Sequence, residues 1–337
     1  MYRVALSALI ALLSICNTNG QSKTTDFEMV LPTGKVPHSL YRTIRVLDSR
    51  LDTTNMGVVQ VGMLNAKARV VPKTPFPAQL QSVLDQLVDS AAGNGELLLQ
   101  LRKFSFAEVT KSMSEKGFCY LRLILYAKTG DGYHRLDAID TMLITGGMDV
   151  TKPSARKAGQ TVTAFIANSL AEPPTANQQI LDDYLLTRVD SIEKRQIKIY
   201  NTSTYTEGLY KTFTSFINQT PDDSIVSVDY DSGRINTVRI PGKKAKGDKV
   251  KLANVYAIVY QGIPYIATEF FYYPLKKKED DFYFTGLSRM NPSTGDMVTA
   301  QLMLGIIGGL LVQGDAYKFE MRIDHLNGHF VRIKQIH

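Results

Sequence analysis

His325 and His329 flank Leu326-Asn327-Gly328, with Asp324 immediately before them. Imidazole nitrogens and carboxylate oxygens are the ligand atoms of zinc-type sites. If Gly328 takes a left-handed bulge, both rings fall on one face of a hairpin, whereas a plain two-residue turn sends them to opposite faces. Either way a metal is short of a third protein ligand unless Asp324 joins. Asp324, His325 and His329 are therefore carried as candidate ligands, while the expectation is of surface histidines beside a turn, with no metal and no cofactor.

Two carboxylate groupings, Asp137 with Asp140 and Asp182 with Asp183, have the residue types of general acid–base chemistry. The first pair occupies strand positions of opposite phase and so faces apart; the second lies on the polar side of a helical stripe. Cys119 shares its alternation phase with Leu121, Leu123 and Leu125, which places it on the buried side of a strand as an inert thiol. Gly242-Lys-Lys-Ala-Lys-Gly247 has the two glycines of a phosphate loop. Asp248-Lys249 stands, however, where Lys and then Ser or Thr would reach phosphate and magnesium, and no helix pattern follows. Nucleophile elbows, paired metal-site cysteines, His-Glu-x-x-His and dinucleotide glycine fingerprints do not occur. No residue is assigned a catalytic role.

Arg239, Lys243, Lys244, Lys246, Lys249 and Lys251, followed by Lys276, Lys277 and Lys278, form a basic cluster. Such clusters attract nucleic acid, acidic glycans or anionic lipid headgroups. Nucleic acid is set aside for a chain with an export address, described below. Glu279, Asp280 and Asp281 offset the second run, which favours charged hairpin tips that keep β-edges soluble; the first six cations are carried as a patch for an anionic partner. Tyr256, Tyr260, Tyr265, Tyr272 and Tyr273 have the composition of a sugar-stacking platform, with an aromatic β core as the default. Met297 to Val312 carries no charge and holds Gly305, Gly308 and Gly309, a spacing of small residues that lets helices approach closely in a membrane. Its 16 residues fall short of the about 20 that span a bilayer. A buried glycine-rich helix or a protomer contact is expected there.

The elements that must position these residues follow from hydrophobic period. Thr43 to Leu47 and Gly57 to Val71 read as strands, and Phe76 to Ala92 places Leu80, Val83, Leu84, Leu87, Val88 and Ala91 at helical spacing. Leu97 to Phe106, Phe118 to Lys128 and Tyr133 to Ile144 are strands, the last two joined by a turn at Thr129-Gly-Asp-Gly132. A helix after Pro153 carries Ala158, Val162, Phe165, Ile166 and Leu170. This predicts an α+β domain over 41–172, an antiparallel sheet with two helices on one face. A helical linker over 173–222 follows, with helices at Ala176 to Arg195 and Thr206 to Asn218, and then a mainly β domain over 223–337. Residues 21–40 read as a flexible leader.

Arg3, the apolar run Val4 to Ile15 and the small residues Thr18 and Gly20 have the order of a secretory signal peptide over residues 1–20, cut after Gly20. Leu13-Ser14-Ile15-Cys16 also suggests a lipobox that would acylate Cys16, but Ile15 stands where Gly or Ala is expected. Cleavage removes one basic residue and leaves 38 against 32 acidic ones. It also leaves Cys119 alone, so no internal disulfide forms despite an oxidising address. With 337 residues, 44% hydrophobic and 21% charged, the chain has globular composition, which excludes a collagen, a wholly disordered chain or a polytopic membrane protein.

Gly208-Leu-Tyr210-Lys-Thr-Phe213-Thr-Ser-Phe216, with Pro221 soon after, resembles a segment of uncharacterised exported proteins of Bacteroidota. Val255-Tyr256, Gln261-Gly262-Ile263, Tyr272-Tyr273-Pro274-Leu275 and Ile323-Asp324-His325-Leu326-Asn327-Gly328-His329-Phe330 extend the resemblance over residues 205–337. Tyr256-Ala257 and Gln261-Gly262 stand where that module commonly has Trp-Gly and Asp-Gly. The resemblance implies no catalytic residue. The order of elements in the N-terminal half, with Asp48-Ser49-Arg50 ending its first strand, is similar to small exported bacterial lipoproteins of envelope assembly and transport.

The first functional expectation is a non-enzymatic, exported binding or structural module, periplasmic or surface-associated, whose partner is an envelope protein, a glycan or a lipid surface. The second is an exported hydrolase or carbohydrate-binding enzyme, marked by two carboxylates about 5 to 10 Å apart in one pocket. The third is a membrane-engaged assembly component acting through residues 297–312.

Overall fold

The computed structural model describes residues 23–50, 52–54, 56–62, 66–111, 114–174, 179–289 and 315–336. Residues 1–20, read from the sequence as a signal peptide, with Cys16, and the run Met297 to Val312 with Gly305, Gly308 and Gly309, lie outside them.

The first unit contains β1 (Lys23–Phe27), β2 (Tyr41–Asp48), β3 (Gly57–Val61), β4 (Ala66–Pro72), α1 (Phe76–Leu87), β5 (Gly95–Lys111), β6 (Ser114–Thr129), β7 (Gly132–Gly147) and α2 (Thr151–Ser169). Its sheet runs β1-β4-β3-β5-β6-β7, with β2 on β5 as well. The long strand β5 has two successive parallel neighbours on one edge: β2 pairs from Gly95 to Leu101 and β3 at Phe106 and Ala107. On its other edge β5 runs antiparallel to β6, and β6 to β7. At Gly57, where β3 meets β5, φ is +101° and an added Cβ would stand 2.0 Å from the Phe106 carbonyl oxygen, so only glycine closes this junction.

Helices α1 and α2 cover one sheet face because their apolar residues recur every three or four positions. Leu80, Val83, Leu84 and Leu87 of α1 and Ala158, Val162 and Ile166 of α2 pack on Leu97, Leu99 and Leu101 of β5 and on Cys119, Leu121, Leu123 and Leu125 of β6. Each leucine, isoleucine or valine among them, fully buried, contributes roughly 2 kcal/mol. The α+β organisation with two helices on one face is thus observed, with parallel pairs added to the antiparallel ones. The leader over 21–40 is corrected: Phe27 is fully buried at 0% exposure, and β1 pairs parallel with β4, since a strand with one apolar anchor needs only a free edge.

The connecting segment holds α3 (Asp183–Leu186), α4 (Val189–Arg195), α5 (Lys198–Asn201), β8 (Gly208–Tyr210) and α6 (Phe213–Ile217). The single helix expected to Arg195 is two short ones among the described residues. Thr206 to Asn218 begins as a strand, because Gly208 sits at φ +142° and Leu209 and Tyr210 pair with Ile258 and Ala257. The segment 173–222 is therefore not a linker apart: β8 belongs to the second unit's sheet.

That unit continues with β9 (Ser227–Asp231), β10 (Arg234–Ile240), β11 (Asp248–Lys249), β12 (Ala257–Tyr260), β13 (Ile263–Ala267), β14 (Tyr272–Pro274), β15 (Lys276–Lys278), β16 (Asp281–Arg289), β17 (Ala316–Ile323) and β18 (Phe330–Gln335). One sheet runs β11-β10-β14-β13-β12-β8 with β9 on β10, and another runs β15-β16-β17-β18. An aromatic core joins them, including Tyr210, Phe216, Tyr273, Phe282, Phe284, Phe319 and Phe330, with Phe284 and Phe330 edge to face at 4.9 Å. No helix among the described residues is long and apolar enough to cross a membrane.

Candidate functional site

The most heavily charged buried region lies where the two units meet, and it starts from an irregularity in β5. Leu97, Leu99 and Leu101 face the core, but so do Phe104 and Phe106, so the inward phase slips by one residue. The register against β6 shifts at the same place, from Leu101↔Leu123 to Lys103↔Arg122. Such a bulge turns two successive residues the same way. Arg102 and Lys103 both leave the core and join Arg122 of β6 on the outer face.

An apolar patch beside them seats the connecting helices. Leu98, Ile124, Tyr126 and Tyr133 pack against Leu181, Leu186 and Val189. With α4 so docked, its residues Asp190 and Glu193, three apart, reach Arg102. The Arg102 guanidinium donates to both Glu193 oxygens at 2.7 Å and to Asp190 Oδ1 at 2.5 Å.

The turn between β17 and β18 supplies the other wall. Arg122 donates to both Asp324 oxygens at 2.9 Å, to Asp140 Oδ2 at 2.9 Å and to the Tyr120 hydroxyl at 2.6 Å. Asn327 Nδ2 donates to that same hydroxyl at 2.6 Å, and His325 Nε2 lies 2.8 Å from Glu193 Oε2. Further along α4, Lys194 pairs with Asp281 at 2.8 Å. The turn is held by Gly328 at φ +75°, whose amide donates to the Asp324 carbonyl at 2.8 Å and whose carbonyl accepts from the Tyr256 hydroxyl at 2.9 Å. A Cβ there would meet the Phe213 ring at 2.5 Å.

Burial acts against the charges of Asp324, Glu193 and Lys103, and the pairing decides which survive. Burial pushes the Asp324 carboxyl up, but the charge and hydrogen bonds of Arg122 outweigh it and hold the group at about 2. Burial likewise opposes Glu193, and hydrogen bonds from His325 and Arg102 bring it to about 2. Lys103 has no comparable partner among the described residues: burial lowers its ammonium to about 8, with Asp324 offsetting part of the drop.

Of the candidate metal ligands Asp324, His325 and His329, the first two are engaged separately in this arrangement. Gly328 is left-handed, the case that brings the imidazoles to one face, yet His325 is only 6% exposed and engaged with Glu193, which corrects the surface reading. Both Asp324 oxygens are taken by Arg122, and burial lowers the half-buried His329. Among the described residues the grouping of ligand-type atoms is instead Asp190, Glu193 and His325, within 4.8 Å of one another. Arg102 already supplies the cation for both of those carboxylates, so an ion would have to displace a fork of three hydrogen bonds.

The remaining candidates are accounted for locally. Asp182 caps α3 by accepting from the Leu185 amide at 2.7 Å, and Asp183 accepts from the Tyr133 hydroxyl at 3.0 Å. Cys119 is buried, and burial pushes its thiol well up. Tyr256, Tyr272 and Tyr273 are packed in the second unit's interior. The basic cluster divides: Lys277 donates to the Tyr200 carbonyl and Lys278 pairs with Glu320, while Lys243, Lys244, Lys246, Lys249 and Lys251 stand exposed. Arg239 pairs with Asp229 at 2.7 Å.

Arg102, Lys103, Arg122, Asp190 and Glu193 were not among the residues singled out by motif. Their signal is the slipped alternation of Leu-Gln-Leu-Arg-Lys-Phe-Ser-Phe over 99–106, which announces two adjacent outward cations. A groove of about 460 Å³ opens beside them, floored by Ile124, Leu181, Val189 and Ile192 and walled in part by Asp137 and Glu193.

No known family model matches the chain, and no curated protein matches it. Among solved structures it is similar to a protein of Xanthomonas campestris of the family DUF330, at 10% identity and a TM-score of 0.29, over 50% of this chain and 99% of that one.

Proposed function

We propose that the protein is an exported, envelope-associated binding or structural module without catalytic activity, in which the α+β unit and the β-rich unit present their surfaces as one rigid body. The observation that carries this reading is the use made of the charged groups at the junction. Arg122 of β6 grips Asp324 through two hydrogen bonds across 202 residues of sequence, and Arg102 and His325 converge on Glu193. These groups are spent on holding one part of the chain to another. The export address of residues 1–20 supports the envelope assignment.

The groove favours the same reading over a hydrolase. Asp137 and Glu193 share it, as an acid–base pair would. In such a pair one carboxyl is raised toward neutrality and the other is free to act as base or nucleophile; Glu193, held at about 2 by His325 and Arg102 against the effect of burial, is not the acid, and both of its oxygens are already engaged by Arg102 and His325.

Fractionation of cells expressing the full chain, with carbonate washing of membranes and mass determination of the N-terminus, tests the proposal. A released or peripherally bound product beginning at Gln21 is expected. A cytosolic product retaining Met1 overturns the export assignment, and a lipidated Cys16 replaces cleavage after Gly20 with anchoring.

A further inference from the structure

We propose that the tip joining β10 to β11, residues 241–247 with the flanking Lys249 and Lys251, is a docking surface for an anionic phospholipid membrane. This rests on the envelope-associated reading and names the surface that reading requires.

Charge complementarity carries the assignment. Lys243, Lys244, Lys246, Lys249 and Lys251 are all exposed, and none is in an ion pair or side-chain hydrogen bond among the described residues. The acid in the loop offsets only one of the five: Asp248 turns back to accept from the Lys243 amide at 3.2 Å and makes no ion pair with a lysine among the described residues, which leaves an excess of four cations over residues 241–251. The second lysine run shows how this chain treats cations that serve the fold, since Lys277 and Lys278 are tied to Tyr200 and Glu320.

The strand pairing separates Lys249 from its neighbour. Arg239 and Lys249 are direct register partners across β10 and β11. Arg239 is offset by Asp229 at 2.7 Å, whereas Lys249 has no ion-pair partner among the described residues. Val226 stands 48% exposed, with its Cβ beside Gly247, and offers a small apolar foot at the same end.

A membrane suits these residues better than a glycan. Lysine ammoniums on flexible stems are mobile point charges that match a fluid layer of headgroups, whereas fixed anions are gripped by arginine forks. A sugar site would add a stacking ring or a side-chain amide, and Pro241-Gly-Lys-Lys-Ala-Lys-Gly247 has neither.

The test is co-sedimentation of the full chain with phosphatidylcholine vesicles, with and without about 30% phosphatidylglycerol, at roughly 0.05 and 0.5 M salt. The proposal expects binding only to the anionic vesicles, loss of binding at high salt, and an affinity reduced on the order of a hundredfold by combined Lys243→Gln, Lys244→Gln and Lys246→Gln. These exposed tip positions leave the melting temperature unchanged. Equal binding to both vesicle types, or undiminished binding by the triple variant, overturns it. So does capture by a soluble sulfated polysaccharide with no vesicle binding. The vesicle assay is independent of cellular address, so an envelope-located chain that ignores anionic vesicles removes this surface and leaves the broader reading standing.

Discussion

Asp324, its side chain 13% exposed, lies at the meeting point of the two units and stays charged because Arg122 meets both of its oxygens. Its carboxyl and that of Glu193 are both held at about 2, below the ordinary value near 4. A depressed carboxyl stabilises the fold fully above its unfolded value and loses that contribution as pH falls toward the folded one. Stability by urea unfolding is therefore expected to stay level from about pH 7 to 5 and to fall between about 4.5 and 2, with Asp324 alone accounting for on the order of 2 kcal/mol. A fall already complete at pH 5 would contradict the pairing. Lys103 has the opposite sign. Burial lowers it to about 8, so the cost of its charge is present below that pH and is relieved as pH rises toward its unfolded value of about 10.5. Lys103→Met is expected to raise stability at pH 7 by about 1 to 2 kcal/mol and to abolish the rise between about pH 8 and 10. A loss of stability in that variant would show that Asp324 needs Lys103 as well as Arg122.

At the scale of elements, what could be read in advance depended on whether burial followed a regular period. The stripes of α1 and α2 are complete in the sequence, and both helices lie where Leu80 to Leu87 and Ala158 to Ile166 place them. β6 is legible for the same reason, including the burial of Cys119. The segment 176–195 also shows a helical stripe, but α3 ends at Leu186 and α4 begins at Val189, because each docks a few apolar residues on the small outer patch of the sheet. Gly208 to Tyr210 is too short for any period to show, and its strand exists only through β12. The junction was hidden for a further reason. His325 reads as a turn residue until the fold brings Glu193, 132 positions away, within 2.8 Å. At the tip of β10 and β11, Lys249→Glu places an acid opposite Arg239. Because Arg239 already pairs with Asp229, the variant is expected to change stability by no more than about 0.5 kcal/mol while weakening anionic vesicle binding. Destabilisation would mean that Lys249 has a structural partner.

The molecule as a whole is two hydrophobic cores joined by a polar seam. Each unit has its own buried cluster, one between the sheet and α1 and α2, the other aromatic and between two sheets. Bidentate arginine pairs at such a seam fix orientation, since a fork accepts a carboxylate in few geometries. Removing one partner leaves the other buried and unpaired, so Arg122→Ala is expected to cost about 3 to 5 kcal/mol. A loss within the range of an exposed ion pair, below about 1 kcal/mol, would mean that water reaches Asp324 freely.

Calorimetric unfolding of the wild type, Arg122→Ala, Asp324→Ala and the double variant tests most directly whether the junction makes the two units one body. The account predicts a single cooperative transition in the wild type, two separated transitions in the double variant, and a coupling between the two positions of about 2 kcal/mol or more. Two transitions already present in the wild type, or single-variant effects that simply add, would contradict it.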